Sequence, residues 1–184
     1  MFTRFQDWLK ESFNDPLFEI GEATAQPYPL KKRVHGDYRF ETEDGDKYLI
    51  KFETEEHNVG VSNPFKIAYV AFLTGQDLLN PKRADLDRVI NKGRIFRVLA
   101  TVIQAIKLYL KDYQRYLDNK TFRIPITYIG MVPGKNDKND DRRLHIYQAY
   151  IKKLIPNADL ITSKMHFEDK EYDAILINAN DIKI

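Results

Sequence analysis

The chain has 184 residues, 43% of them hydrophobic and 30% charged, which is the composition of one folded globular domain rather than of a disordered segment. It contains no cysteine, and this excludes disulfides, thiolate metal sites, iron–sulfur clusters and thiol nucleophiles together. Its 29 basic and 27 acidic residues leave a net charge of +2, too small a bias to point to nucleic acid or to an anionic membrane.

No apolar run approaches the roughly 20 residues that cross a bilayer. The opening MFTRFQDWLKESF is charged and aromatic, unlike a secretory leader, so an intracellular location is expected. No repeat, low-complexity tract or long linker divides the chain, and a single domain over 1–184 is expected. Its first part, 1–36, reads as an N-terminal helix followed by an irregular extended segment. Phe2, Phe5, Trp8, Leu9 and Phe13 recur at spacings of three and four over residues 2–13. Asn14-Asp15-Pro16 ends that helix, because a residue before proline is pushed out of the helical region.

A hairpin follows. Tyr38, Phe40 and Thr42 alternate with Arg39 and Glu41, Asp44-Gly45 supplies a turn that tolerates positive φ, and Tyr48, Ile50 and Phe52 resume the alternation. The run Phe65 to Leu73 (FKIAYVAFL) is almost continuously apolar and predicts a central strand. Residues 74–94 read as a polar connection, with one helical turn expected near Leu86 to Ile90. Ile95, Leu99, Val102, Ile106, Tyr109, Tyr113 and Leu117 then mark a long helix whose broad apolar arc suits packing on a sheet.

Phe122 to Val132 predicts a further strand, with Pro125 marking a bulge or an unpaired side. A second amphipathic helix is expected over Asp140 to Leu154, its start favoured by Asp140 and Asp141. Asp159 to Ser163 and Tyr172 to Ile177 predict the last two strands. These elements describe an α/β (α+β) domain with a central mixed sheet of about six strands, flanked by a long central helix and a second, C-terminal helix. The leading strands form an antiparallel meander, and the strand–helix–strand crossover forms a parallel pair.

This order, a meander, a long helix, a strand, a helix and two strands, looks like the GNAT-type N-acetyltransferase fold. The stretches FEIGEATAQPYPL, YRFETEDGDKYLIKFE, VAFLTG, GRIFRVLATVIQAI and RRLHIYQAY resemble a group of small, functionally uncharacterised bacteriophage proteins with a GNAT-like fold, over about residues 18–155. The resemblance implies a fold and a source more than an activity.

GNAT enzymes bind the acyl-CoA diphosphate at the start of their long helix through a Gln/Arg-x-x-Gly-x-Gly/Ala loop, where free backbone N–H groups and the helix dipole favour an anion. The matching window is Ile90-Asn91-Lys92-Gly93-Arg94-Ile95. Gly93 fits the first glycine, whereas Ile90 replaces the Gln/Arg and the branched Ile95 replaces the second small residue. Lys92 and Arg94 offer cations to a phosphate in compensation. A helix start capped by Asn91 and carrying a solvated basic turn explains the same residues without a cofactor.

The family's other landmark, a tyrosine that protonates the departing CoA thiolate, maps onto Tyr147 in Asp140-x-x-Arg143-x-x-x-Tyr147, which matches only at the tyrosine. Tyr147 also falls on an apolar face with Leu144 and Ile151, where core packing accounts for it. No carboxylate stands on FKIAYVAFL to act as base, so a base must come from elsewhere, for example Glu55 or Glu56.

His35, His57, His145 and His166 have no metal-ligand spacing. Asp137-x-Asn139-x-Asp141 opens like a calcium loop but continues with Arg142 and Gln148 where glycine and glutamate are needed, and no metal site is expected. Leu30-Lys31-Lys32-Arg33, with Lys82 and Arg83, forms a basic cluster best explained as a solvated strand entry. Neither a P-loop nor a Gly-x-Ser-x-Gly elbow is present.

Two functions are expected from these readings. In the first, the chain is a non-catalytic, phage-encoded GNAT-like protein that binds other phage or host proteins, as a virion component or as an accessory factor in the host cytoplasm, without cofactor, nucleic acid or membrane. In the second, it is an N-acyltransferase using acetyl-CoA or another acyl-CoA held by Asn91, Lys92, Gly93 and Arg94, with Tyr147 as general acid.

Overall fold

The computed structural model describes residues 25–33, 36–59, 63–74, 95–118, 124–132, 142–167 and 170–184. Among them are seven strands and two α-helices: β1 (Lys31–Lys32), β2 (Tyr38–Glu41), β3 (Lys47–Val59), β4 (Asn63–Thr74), α1 (Ile95–Asp118), β5 (Ile126–Met131), α2 (Arg142–Leu154), β6 (Leu160–Phe167) and β7 (Lys170–Asn178). The strands form one mixed sheet in the order β1-β2-β3-β4-β5-β7-β6. The α+β class with a mixed sheet thus agrees with the sequence reading. The strand count is corrected from about six to seven by β1, which is too short to show any period and exists only through its pairs with Arg39 and Tyr38. The expected helix over 2–13, the turn near Leu86 to Ile90, and Asp140 and Asp141 lie outside the described residues.

The hairpin forms as its alternation dictates. Gly45 adopts φ 81°, the Thr42 N–H donates to the Asp46 carbonyl at 2.9 Å, and Glu41 and Lys47 open the ladder. A non-glycine side chain at that φ would be strained. β3 and β4 pair antiparallel over twelve consecutive positions. β4 and β5 run parallel, with α1 between them in sequence. The register slips between Lys66 and Ile67, so that Thr127 is passed over beside Pro125, where the sequence called for a bulge. β5 begins at Ile126, after Ile124 and Pro125, and α2 is described from Arg142; the expected starts at Phe122 and Asp140 lie outside the described residues. β6 is not laid beside β5. β7 enters between them, antiparallel to both.

Strand alternation sends Tyr48, Ile50 and Phe52 of β3, Ala68 and Val70 of β4, Ile129 of β5, and Ile175 and Ile177 of β7 to one face. There they join Leu99, Val102, Ile106 and Leu110 of α1 and Tyr150 and Ile151 of α2 in one core cluster. Phe96 of α1 and Tyr150 of α2 have ring centroids 5.1 Å apart, so the two helices share that face. A file of stacked rings crosses its strands: Tyr28 on Phe40 at 5.4 Å, Phe40 on Tyr48 at 4.9 Å, Tyr48 on Phe72 at 5.2 Å. Near the other end of α1, Phe52 stacks on Tyr109 at 4.0 Å.

On the opposite face, Tyr69 of β4 lies across Gly130 of β5. A Cβ at position 130 would stand 2.5 and 2.7 Å from two carbons of the Tyr69 ring. The glycine is therefore required by close approach rather than by backbone conformation. Gly130→Ala is expected to cost about 1–3 kcal/mol in urea denaturation, and much less in a Tyr69→Ala background. Simple additivity of the two substitutions would refute the contact as the cause.

Burial pushes three tyrosines up from an ordinary value of 10.0 to about 12. Burial is the largest cause in each, and the Asp112 carboxylate contributes to the rise of Tyr38, Asp46 to that of Tyr48 and Tyr113 to that of Tyr109. The unfolded chain releases these protons first, so stability is fully present below about pH 10 and falls as pH rises toward 12. Urea midpoints measured across this range should decline, and Tyr109→Phe should flatten the decline.

Candidate functional site

The mouth of α1 is where the resemblance places a cofactor. Asn91, Lys92, Gly93 and Arg94 lie outside the described residues. The first described cation of the helix is Arg97, in its opening turn. Its Nε donates to the Gln26 carbonyl at 2.8 Å, its Nη1 meets the Glu43 carboxylate, and its guanidinium carbon stands 4.1 Å from the centroid of the Tyr28 ring. Glu43 belongs to the β2–β3 hairpin turn, and its second oxygen accepts from the Tyr28 hydroxyl at 2.7 Å. A guanidinium that stacks on one face and bonds along its edge is fixed in orientation as well as in charge.

Thr101, one turn further on, completes the arrangement. Its hydroxyl donates to the Arg97 carbonyl at 2.7 Å and accepts from the Tyr28 N–H at 2.9 Å. Both Thr101 and Tyr28 are buried, so this hydroxyl satisfies a backbone donor that has no water to turn to. Arg97 and Thr101 in the opening turns of α1 are thus both engaged by residues of the chain itself. Residues 25–30 lie against them, anchored by Arg97 and Thr101.

Tyr147, on α2, is half-buried and packs against the core cluster on the helix-covered face. Of the two carboxylates weighed as a base, Glu56 pairs with Lys66 at 3.8 Å. Glu55 stands on the other face, by alternation from Tyr48, Ile50 and Phe52. There it faces Tyr69, whose pKa is raised by burial first and then by this carboxylate. His57 stacks on Phe65 at 5.3 Å and brings its Nε2 to 3.4 Å from Glu55. That nitrogen is buried and makes no hydrogen bond among the described residues. The sheet therefore separates Glu55 from Tyr147, while it assembles a Glu55–His57–Tyr69 group that the sequence did not reveal. The signal was there only in part: Glu55 and His57 share a face by parity, but bringing Tyr69 beside them requires the β3–β4 register.

Among the described residues no group of His, Asp and Glu side chains is placed to hold a metal ion, and no helix is long and apolar enough to cross a membrane. At the far end of α1, Asp112 takes a 2.5 Å ion pair from Lys32 of β1 and a 3.4 Å contact from the Tyr38 hydroxyl. The Lys32 hydrogen bond, more than any other influence, holds its carboxyl below the ordinary carboxylate value.

Thr101→Val keeps the shape of the side chain and removes the acceptor for the buried Tyr28 N–H. Thermal or urea unfolding should show a loss of about 1–3 kcal/mol, and Thr101→Ser, which keeps the hydroxyl, should lose less. Equal losses would show that the hydrogen bond is not what matters at this position.

No protein-family model, no curated protein and no solved structure matches the chain.

Proposed function

We propose that the chain is a GNAT-like protein of the bacteriophage type that works by binding another phage or host protein, in the virion or the host cytoplasm, and not by acyl transfer. The observation that carries this reading is the engagement of Arg97. The first described cation of α1, in its opening turn, is ion-paired to Glu43, bonded to Gln26 and stacked on Tyr28. An anion entering there would have to displace a carboxylate already seated. The separation of Glu55 from Tyr147 by the sheet agrees with the same reading. The GNAT-like placement is supported by the order of elements: an antiparallel meander, a long helix, one parallel strand, a second helix, and a final hairpin whose last strand sits beside β5.

One observation favours the second reading, an acyl-CoA-dependent N-acyltransferase. Glu56, which alternation puts on the same face of the sheet as Tyr147, is a carboxylate suited to accept a proton from an amine. In that case Asn91 to Arg94 would hold the acyl-CoA and Tyr147 would protonate the thiolate.

Melting curves with and without acetyl-CoA and longer acyl-CoAs separate the two. A ligand at a hundred times its Kd adds about 2.7 kcal/mol to stability. The binding reading expects no shift with any of them, and recovery of a stoichiometric partner protein when the tagged chain is purified from its native host. A clear upward shift abolished by Gly93→Glu, or turnover of a labelled acyl donor, would replace it with the enzyme reading.

A further inference from the structure

The two edges of the sheet are unlike. β1 ends one side with two residues, both lysines, preceded by Pro27 and Pro29. Short length, lysine and proline are the usual means of keeping an edge from recruiting another strand. β6 ends the other side with eight residues, LITSKMHF, containing neither proline nor glycine. Its register with β7 runs from Leu160 to Phe167 without a bulge. Its one lysine, Lys164, is drawn to Asp173 of β7, away from the edge. Thr162 is likewise held from the inner side, accepting from Gln148 of α2 at 3.1 Å. No backbone hydrogen bond leaves β6 on its outer side among the described residues. Ile161, 43% exposed, is one of three large hydrophobic side chains exposed among them.

We propose that β6 pairs antiparallel with β6 of a second copy of this chain, about a two-fold axis at Ser163, so that one sheet runs through both copies. The sequence of the strand selects both the occupant and the register. Centred on Ser163, the pairing matches Leu160 through His166 with itself. It sets Ile161 at the position of Met165, Leu160 at His166 and Thr162 at Lys164, with no like charges directly opposed. Centring on Lys164 would oppose two ammonium groups. Centring on Thr162 would leave the last three residues without partners. Any odd shift would set helix-face residues against open-face ones. A strand whose register contains its own complement fits a two-fold partner, and the same patch then serves both copies. This inference does not depend on the reading of the α1 mouth.

The chain lacks cysteine, so a single introduced thiol reports on the pairing. Facing residues in antiparallel strands have Cα atoms about 4.5–5.5 Å apart, within the span of a disulfide. Ser163→Cys should cross-link two copies under mild oxidation far faster than Lys111→Cys on the exposed side of α1. Sedimentation of the unaltered full chain should give twice its 21.7 kDa mass. Ser163→Lys, which opposes two cations at the axis, should weaken self-association by at least about tenfold, with the melting of the separated copies unchanged. The proposal is overturned if the full chain sediments as a single copy at high micromolar concentration. It is also overturned if Ser163→Cys cross-links no faster than Lys111→Cys, or if Ser163→Lys leaves the dimer intact. If Ser163→Lys fails to fold, the Ser163→Cys comparison decides alone.

Discussion

Because β4 and β5 run parallel, the chain that leaves Thr74 must travel back along the whole sheet before it can begin again at Ile126. α1 makes that return. Its 24 residues span about 36 Å, close to the roughly 40 Å of the twelve-residue β4. A helix of that length laid along the sheet needs a broad apolar arc, and Val98, Leu99, Val102, Ile106 and Leu110 provide it in the core cluster. The same pairing sets the demand at Gly130, since Tyr69 can lie across β5 only where no Cβ intervenes. Both faces of the sheet therefore answer to one parallel contact.

The two ends of α1 are secured by different physics. At its start, a buried hydroxyl, a stacked guanidinium and a shared carboxylate join Thr101, Arg97 and Glu43 to Tyr28. Toward its end, an ion pair between Lys32 and Asp112 ties it to β1, with both groups over a third exposed. Exposed pairs of that kind are worth about 0–1 kcal/mol and weaken with salt. The buried Tyr28 N–H, in contrast, is held away from solvent by the Thr101 hydroxyl. Residues 25–30 are thus held against the first turns of α1 by the more resistant of its two attachments.

Period and punctuation made most of the fold legible beforehand. Alternation in Tyr38–Thr42 and Lys47–Phe52 around Asp44-Gly45 specified the hairpin, and the three-and-four repeat from Ile95 to Leu117 specified α1. Both are local signals, written within one element. β1 was not legible, because two residues carry no period and only their partners define them. Arg97 was equally hidden: its partners Gln26, Tyr28 and Glu43 stand 54 to 71 residues away, and only tertiary packing assembles them. For Tyr147 the apolar spacing with Leu144 and Ile151 already spoke for packing, and the residue does lie half-buried against the core.

Residues 25–33 then take on a larger role than their irregular character suggests. They carry Gln26 and Tyr28 to the start of α1 and Lys32 toward its end, spanning the joint between helix and sheet. Tyr28 also begins the ring file that continues through Phe40, Tyr48 and Phe72, so the segment extends the core across the edge of the sheet. Closing the sheet at β1 and bracing the first turns of α1 are thus the work of one strap. Displacing this strap would cost more than the Arg97 contacts. It would strip the Tyr28 backbone of its acceptor and unstack a ring that is 3% exposed, so the strap and the helix are stabilised together.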